Sequence, residues 1–370
     1  MSFAFIRKRS KNYIVYLEYK DAESGKKIQK NMGSFDKKRD ASKKLVELKE
    51  SILNNELATP NSIKFDNFLL DFLEKHKINL SITTYNCYLR ICKKYIIPML
   101  GNHRLEDLKP IHIQNYVDDL VGVLSPQTIK IHINILNLAI KKAYRLRLIR
   151  ENIVDCVETP RVRKFKNNIY DKENMVKLLK TCENTPLKLP IYLASGLGLR
   201  ISEILGLTWD NIDFSENTIT IDKITVRNEG KVILKEPKTE SSERTISAPM
   251  EVMSLLKEHK KKQLEAKLKG KKNPLNLLFY NKNGQPIAQD VLSKKFSRFL
   301  DENNLEHIRF HDLRHSHVTL LINSKVPIKV ISERVGHSNI NTTLNIYAHA
   351  LKNMDVEASE KISESLFKLG

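Results

Sequence analysis

The sequence predicts a multidomain fold: a small three-stranded sheet plus one helix, then an all-α domain, then a mixed, mainly α domain with a small antiparallel sheet. Three short runs before residue 36 alternate apolar and polar residues, which is typical of strands. The periodicity from 63 to about 153 is wholly helical, and alternating runs return only after residue 216. With 370 residues and 41% hydrophobic content, the chain can bury a separate core in each part. We place the domains at 1–57, 62–157 and 168–370.

The charge balance indicates a polyanionic partner that contacts every part of the chain. The formal net charge is +20, and Lys and Arg exceed Asp and Glu by 6 in residues 1–60, by 7 in 61–165 and by 7 in 166–370. Nucleic acid fits this excess better than a membrane, because no apolar run approaches the ~20 residues of a spanning helix and no signal peptide opens the chain. The four cysteines form no C-x-x-C pair, which argues against zinc and favours a reducing cytoplasm: Cys87, Cys92, Cys156 and Cys182.

The first domain combines three predicted strands, FAFIRKRS, NYIVYLEYKD and KIQKNMGSF, with a turn at Ser24 and Gly25. The basic stretch DKKRDASKKLVELKESILNN then predicts an amphipathic helix capped near Ser34 or Asp36. So small a unit is either a stabilising appendage or a DNA reader. We favour the DNA reader, because basic side chains decorate the sheet region: Arg7, Lys8, Arg9, Lys11, Lys26, Lys27 and Lys30.

Residues 58–62 are a plausible linker to the second domain, in which we predict four or five helices. They are FDNFLLDFLEKHK, ITTYNCYLRICKKYIIPML, PIHIQNYVDDL and PQTIKIHINILNLAIKKAYRLRLI. Gly101 ends the second of these, and Ser125 caps the last, with Pro126 in its first turn. The basic, aperiodic segment 158–166 then predicts a hinge, and the third domain begins near Asn168.

In the third domain, helix ENMVKLLKTCEN precedes the apolar run LPIYLASGLGLRISEILGLTWDNID, which predicts a buried helix pair. Arg200 lies inside this run, so it either pairs locally with Glu203 or binds an anion. Gly196 and Gly198 lack the third glycine of a nucleotide fingerprint, and no Walker sequence occurs. Three alternating runs, NTITIDKITVRN, KVILKEPK and ERTISAP, then predict a small antiparallel sheet with one turn at 228–230 and Lys238 in the other.

The stretch 307–349 concentrates imidazoles, an arginine and a tyrosine in short helical segments. In HDLRHSHVTLLI, His311 and Arg314 project together beside an apolar face. A second helix runs from Pro327, in a first-turn position, to Val335, and Gly336 caps its end. His337 opens a new segment capped by Ser338 or Asn339, and Tyr347 lies ten residues beyond that histidine.

A metal site is the competing interpretation of this stretch, since His311, His315 and His317 are close in sequence. However, HDLRHSH lacks the Glu of H-E-x-x-H. It also places Arg314 among the supposed ligands, where its positive charge would oppose a divalent cation. We therefore predict no metal ligands and no cofactor.

The pattern H-x-x-R-H, then G-H-S, then Tyr in T-T-L-N-I-Y-A-H resembles the second signature box of the tyrosine recombinases, the phage-integrase family. G-L-R-I-S-E-I-L-G-L-x-W-x-N-I-D resembles the first box, and P-K-T resembles the hairpin that carries the catalytic lysine. Near the N-terminus, G-K-K-x-x-x-x-x-G-S-F-x-x-K-x-x-A resembles arm-site-binding domains. The interval from His337 to Tyr347 is one residue longer than in many members.

This resemblance implies a site-specific integrase that cuts and rejoins DNA through a 3′-phosphotyrosine intermediate. Tyr347 would be the nucleophile, with Arg200 and Arg314 binding the nonbridging phosphate oxygens and Glu203 supporting Arg200. His311 and His337 would donate hydrogen bonds to the phosphate, with His311 also able to accept the tyrosine proton. Lys238, or less well Lys235, would protonate the leaving 5′ oxygen.

The resemblance also implies the partners: double-stranded core and arm DNA sites, a homotetramer on DNA, and DNA-bending or excision accessory proteins in a bacterial cytoplasm. The helical domain would bind the core site through exposed cations: Arg90, Lys93, Lys94, Lys130, Lys141 and Lys142. Any of them could instead be a solvated surface charge. An arm domain favours a phage, genomic-island or conjugative-element integrase over a chromosome-resolving recombinase. A type IB topoisomerase and an inactive DNA-binding regulator remain alternatives.

The tail 352–370 follows the tyrosine and ends in three large apolar residues, Leu366, Phe367 and Leu369. An apolar tip beyond a charged stretch predicts that the tail docks on a protein surface. That surface belongs either to its own domain or, as the resemblance implies, to a neighbouring protomer.

Overall fold

The computed structural model describes residues 3–20, 26–53, 63–162, 168–228, 230–237 and 243–337, together with 340, 343–344, 362–363 and 367. Several predicted features lie outside these residues: the turn at Ser24 and Gly25, the linker 58–62, the caps Ser338 and Asn339, Lys238, Tyr347, Leu366 and Leu369. The chain divides into two compact units, Met1–Lys164 and Phe165–Gly370. Over the described ranges, no helix is both long and apolar enough to cross a membrane.

The first unit begins with the predicted three-stranded antiparallel sheet, in the order β1-β2-β3. Its strands are β1 (Phe3–Arg9), β2 (Asn12–Lys20) and β3 (Lys27–Phe35), and helix α1 (Lys38–Leu53) packs against them. Val15 and Leu17 of the central strand are buried with Ala41 and Leu48 of the helix. Alternation along β2 therefore sends one face to the core, and this part of the prediction is confirmed.

The helical part of this unit contains α2 (Phe65–His76), α3 (Ile82–Ile91), α4 (Ile97–Leu100), α5 (Pro110–Leu120) and α6 (Pro126–Arg145). A π-helical turn, Cys92–Ile96, joins α3 to α4 just before Pro98, whose missing N–H disturbs regular helical hydrogen bonding. The predicted cap is confirmed, since the Ser125 side chain accepts a hydrogen bond from the Thr128 N–H.

The predicted end of α6 is wrong, because the helix stops at Arg145 and does not continue to Ile149. Arg147 adopts a left-handed φ of 57°, and the Leu148 N–H bonds back to the Ala143 carbonyl at 3.0 Å. This arrangement closes the helix end in the way that a glycine often does. The sequence gives no signal for this helix end, because the left-handed position is occupied by Arg147 and not by a glycine or asparagine.

Between residues 168 and 337, the described part of the second unit contains seven α-helices, one short 3-10 helix (Trp209–Asn211) and five strands. The helices are α7 (Lys172–Thr181), α8 (Lys188–Leu197), α9 (Ile201–Ile204), α10 (Met250–Leu268), α11 (Gln289–Glu302), α12 (Asp312–Asn323) and α13 (Ile328–Val335). The strands are β4 (Ile212–Asp213), β5 (Thr218–Ile221), β6 (Ile224–Asn228), β7 (Lys231–Lys235) and β8 (Arg244–Ser247). Pro327 is the residue before α13, one position earlier than predicted.

The strands form two antiparallel sheets, where the sequence predicted one. One sheet has the order β4-β5-β8, and the other is the hairpin β6-β7. The predicted strand over 217–228 breaks at Asp222 and Lys223, because the Asp222 side chain accepts a hydrogen bond from Asn211 at 2.8 Å. Gly206 also lies so close that a Cβ there would meet the Lys223 carbonyl at 2.6 Å. Both are long-range contacts that alternation cannot reveal.

The core of the second unit is centred on α8, which packs against α10 and α12. Ile191, Leu193 and Leu197 of α8 are fully buried, as is Leu313 of α12. Burial of each such side chain contributes about 1.5–3 kcal/mol. This packing fixes the start of α12 beside the end of α8, where the candidate site lies.

Candidate active site

Arg200 lies in the short turn between α8 and α9. Gly198 ends α8 in the left-handed conformation, with φ 68°, and Arg200 is the N-cap residue of α9. Glu203 accepts hydrogen bonds from both the Arg200 backbone N–H, at 2.9 Å, and its guanidinium Nη1, at 2.6 Å. The local ion pair is therefore present, yet 31% of the Arg200 side chain remains exposed and can reach a ligand.

Arg314 lies in the first turn of α12 and is 1% exposed. Its Nη1 donates to the Gly198 carbonyl at 2.7 Å and its Nη2 to the Val335 carbonyl at 2.6 Å. Burial, followed by the positive charge of Arg200, lowers the pKa of Arg314 to about 9, so the group stays protonated at neutral pH. No carboxylate in the described part of the chain forms an ion pair with it. A buried cation in this state favours a bound anion.

The end of α13 brings three guanidinium groups together. The carbonyls of Arg334, Val335 and Gly336 accept hydrogen bonds from Arg244, Arg314 and Arg200 at 2.8, 2.6 and 2.8 Å, respectively. The last carbonyls of a helix have no partners within it and form the negative end of the helix dipole. Gly336 has a φ of 66° and confirms the predicted helix cap.

His337 follows this helix end directly and is half-buried. Its Nδ1 lies 2.8 Å from the Oγ1 of the buried Thr343, which leaves Nε2 for a ligand. Burial, followed by the charges of Arg314 and Arg200, lowers the pKa of His337 to about 3. The imidazole is therefore neutral at physiological pH, and Nε2 can donate one hydrogen bond if it carries the proton.

His311 precedes α12 and retains solvent exposure. Its ring meets the ring of His315 edge to face, with centroids 4.9 Å apart. The protein packed around the ring, then the charges on His315 and Arg314, lower the pKa of His311. His311 is thus neutral and accessible beside Arg314.

His317 has a different environment from the other histidines. Its Nδ1 donates to the Ser195 carbonyl at 2.8 Å, and it is 5% exposed. Its ring fills the space beside Gly198, where an added Cβ would lie 2.6 Å away. His317 therefore fixes α12 against the end of α8. Its Nδ1 is directed at the Ser195 carbonyl and not toward a metal position that His311 and His315 could share.

Arg244, at the start of β8, belongs to the site although it lies outside the sequence motifs. Its Nη1 and Nη2 donate to the two carboxylate oxygens of Glu203 at 3.2 and 3.0 Å, and its side chain is 8% exposed. Burial alone would raise the pKa of Glu203, but hydrogen bonds and charge from Arg244, with a smaller effect of Arg200, lower it overall. The available signal was alternation, which places Arg244 on the same face as the buried Ile246.

The remaining predicted site residues that the structure describes are exposed at the surface. Lys235 ends β7 and is exposed. All predicted DNA-contacting cations are exposed on the first unit: Arg7, Lys8, Arg9, Lys26, Lys27, Arg90, Lys93, Lys94, Lys130, Lys141 and Lys142. Arg7 lies over the rings of Phe5 and Tyr16, at 5.5 and 5.7 Å. Lys130 lines a groove of about 490 Å³ between α3 and α6.

Comparison with known proteins gives three family matches along the chain. Residues 5–52 match the Arm DNA-binding domain, and residues 64–121 match the N-terminal SAM-like domain of phage integrases. A tyrosine recombinase XerC-like protein of Caldanaerobacter subterraneus is 33% identical over 209 residues, which are 53% of this chain and 54% of that protein. The ICEBs1 integrase of Bacillus subtilis is 25% identical over 309 residues, 82% of this chain and 84% of that protein.

Solved structures show the same fold. The Tn1549 transposon integrase in complex with transposon right end DNA superposes with a TM-score of 0.67 at 24% identity, covering 81% of this chain and 99% of that chain. A lambda integrase tetramer bound to a Holliday junction has a TM-score of 0.57 at 17% identity, covering 92% and 96%. The third match, to the phage integrase family, spans residues 168–354, half of the chain. This chain therefore belongs to the phage integrase family of tyrosine recombinases.

Proposed function

We propose that this tyrosine recombinase integrates and excises a mobile DNA element, with Tyr347 as the nucleophile and Arg200 and Arg314 as the phosphate-binding pair. The observation that supports these roles is the meeting of Arg200, Arg244 and Arg314 at the end of α13, with Glu203 as a carboxylate shared by Arg200 and Arg244. A site with three guanidiniums and one carboxylate carries excess positive charge, which matches a phosphodiester and a more negative transition state.

In the proposed mechanism, the Tyr347 oxygen attacks the scissile phosphorus and the 5′ oxygen leaves. Arg200 and Arg314 donate to the nonbridging oxygens, and their planar forks suit two oxygens of one phosphate better than lysine does. Both are already fixed by backbone carbonyls, at 2.8 and 2.6 Å, so little reorganisation is needed when charge develops.

Proton transfer completes the step. Tyrosine has an ordinary pKa of about 10, so its proton must leave as it attacks, and the neutral His311 is the proposed acceptor. His337 donates from Nε2 to the phosphate, and Lys238 protonates the departing 5′ oxygen, with Lys235 as the alternative. Because the 3′-phosphotyrosine ester retains the bond energy, a second 5′ hydroxyl can reverse the reaction on a new strand without ATP.

We further propose that the domains lie at 1–57, 62–157 and 168–370 and act on arm sites, core sites and the scissile phosphate, respectively. The exposed cations of the first unit support this assignment, because such groups contact DNA backbones. On DNA the enzyme works as a homotetramer in a bacterial cytoplasm, with DNA-bending or excision proteins as accessories. The arm-domain match at residues 5–52 favours a mobile-element integrase over a chromosome-resolving recombinase.

A nicked core-site DNA that traps covalent protein tests the mechanism. Wild-type protein should accumulate a 3′-linked adduct, and Tyr347→Phe should bind the same DNA with similar affinity and form none, because only the attacking oxygen is lost. The adduct should also form in EDTA, since the positive charge comes from protein. A covalent adduct from Tyr347→Phe, or a 5′ linkage from the wild type, would contradict the proposal.

A further inference from the structure

Arg244 connects the two sides of the site with one side chain. Its Nη1 and Nη2 donate to Glu203, which adjoins Arg200, and its Nε donates to the Arg334 carbonyl at the end of α13. In the opposite direction, Nη2 of the Arg334 side chain donates a 3.1 Å hydrogen bond to the carbonyl of Ser247, at the other end of β8. Strand β8 and helix α13 are therefore joined by two reciprocal arginine–carbonyl hydrogen bonds.

On one side, Glu203 depends on Arg244. The carboxylate is 1% exposed, and each of its oxygens accepts one hydrogen bond from Arg200 and one from Arg244. A buried carboxylate stays ionised only when paired and hydrogen-bonded, and Arg244 is the stronger of its two partners. An ionised Glu203 holds the Arg200 guanidinium in place through the 2.6 Å bond.

On the other side, the α13 end depends on Arg244. Its Nε holds the carbonyl of Arg334, and the next two carbonyls along the chain hold Arg314 and Arg200. Consecutive peptide units at a helix end move together, so a shift at Arg334 displaces both guanidiniums and the adjoining His337. A displacement of about 1 Å can reduce a reaction rate roughly 100-fold.

We propose that Arg244 is a positioning residue, which fastens the end of α13 to Glu203 and so aims Arg200, Arg314 and His337 at one phosphate. The inference rests on the proposed function, because it assigns a role within the same reaction. Arg244 acts through these groups and does not itself contact the substrate. A purely structural Arg244 would affect folding alone, and the pH profile of cleavage separates the two roles.

The first test measures single-turnover formation of the covalent adduct on nicked core-site DNA at pH 7.5. Arg244→Gln should cleave about 100-fold more slowly, with DNA affinity within about threefold of wild type. Arg244→Lys should lose about tenfold, because it keeps the charge but not the two-pronged geometry. Arg298→Gln is the matched control, since it removes the same charge from an exposed position on α11 and should leave the rate unchanged.

The second test repeats the rates from about pH 5 to pH 8. Arg244 lowers the pKa of Glu203, so its loss raises that pKa, and protonated Glu203 accumulates as the pH falls. Arg244→Gln should therefore gain an acidic decline in rate that is absent from wild type. Besides Arg244, the charged groups that act on this carboxylate within the described ranges are Arg200 and Arg314, and the loss of Arg244 also raises the pKa of His337.

The double variant Arg244→Gln with Glu203→Gln separates these titrations, because an amide does not titrate. The new acidic decline should vanish in the double variant, and its persistence would overturn the proposal. Wild-type rate and pH profile in Arg244→Gln would also overturn it. If Arg244→Gln fails to fold by thermal melting, Arg244→Lys must show the rate loss, together with an acidic decline that is smaller because lysine keeps the charge but not the two hydrogen bonds to Glu203. A wild type that forms no adduct at any pH contradicts the proposed function itself.

Discussion

The two units carry their positive charge in opposite ways. In the second unit, Arg200, Arg244 and Arg314 are largely withdrawn from solvent and each donates to a backbone carbonyl of 334–336. In the first unit, the predicted DNA-contacting cations are exposed; Arg7 lies over an aromatic ring, and Lys27 pairs with the carboxylate of Glu18. Cations held in fixed positions can bind a transition state more tightly than the ground state. Exposed, mobile cations can instead contact phosphates at many positions along a duplex.

The largest effect should come from the most buried of the fixed cations. Arg314→Lys retains the charge but cannot hold two carbonyls and a phosphate together, so cleavage should fall by about 10³-fold with little change in DNA affinity. Single-turnover adduct formation and a binding titration measure the two quantities. Arg298→Lys, on an exposed helix face, is the control. A loss below about tenfold in Arg314→Lys would show that charge suffices without fixed geometry.

Removal of residues 1–57 tests the exposed cations as a group. The truncated protein should lose specific binding to distant arm sequences, because the cation-bearing sheet is gone, while it still cleaves an isolated core site. Gel-shift titrations on arm and core DNA, together with the adduct assay, measure both activities. A folded truncation that no longer cleaves the core site would show that the first domain is not separable.

The smallest effect should come from one exposed cation. Lys130→Gln, in the groove between α3 and α6, should weaken core-site binding about threefold and reduce the slope of log affinity against log salt by about 1. Affinity measured at several salt concentrations gives that slope. If Lys130→Gln lost cleavage even at saturating DNA, Lys130 would take part in the chemical step, and the contrast between exposed binding cations and fixed catalytic cations would be wrong.

The sequence predicted the parts of the site that depend on local spacing. Arg200 with Glu203, and His311 with Arg314, are each three residues apart, and helical geometry alone brings such pairs together. The left-handed cap at Gly336 also follows from local preference. The roles of these residues remain proposals.

The missed features depend on contacts between distant residues. Arg244 meets Glu203 across 41 positions, and the three arginines meet the α13 carbonyls across 21 to 136 positions. Every residue has a backbone carbonyl, so the amino-acid sequence cannot show that the carbonyls of 334–336 are the acceptors for three arginines. The division of the sheet at Asp222 arose in the same way, from Asn211 and Gly206.

The contact between Gly198 and His317 limits how this sequence can drift. Gly198 combines a left-handed φ of 68° with an imidazole so near that a Cβ would lie 2.6 Å from it. A side chain at position 198 would also meet the Val335 side chain, at 3.0 Å, and would be strained by the left-handed φ even if position 317 became smaller. A smaller residue at 317 would leave a void that position 198 cannot fill without strain, so glycine at 198 and histidine at 317 are expected to be retained together among descendants of this chain.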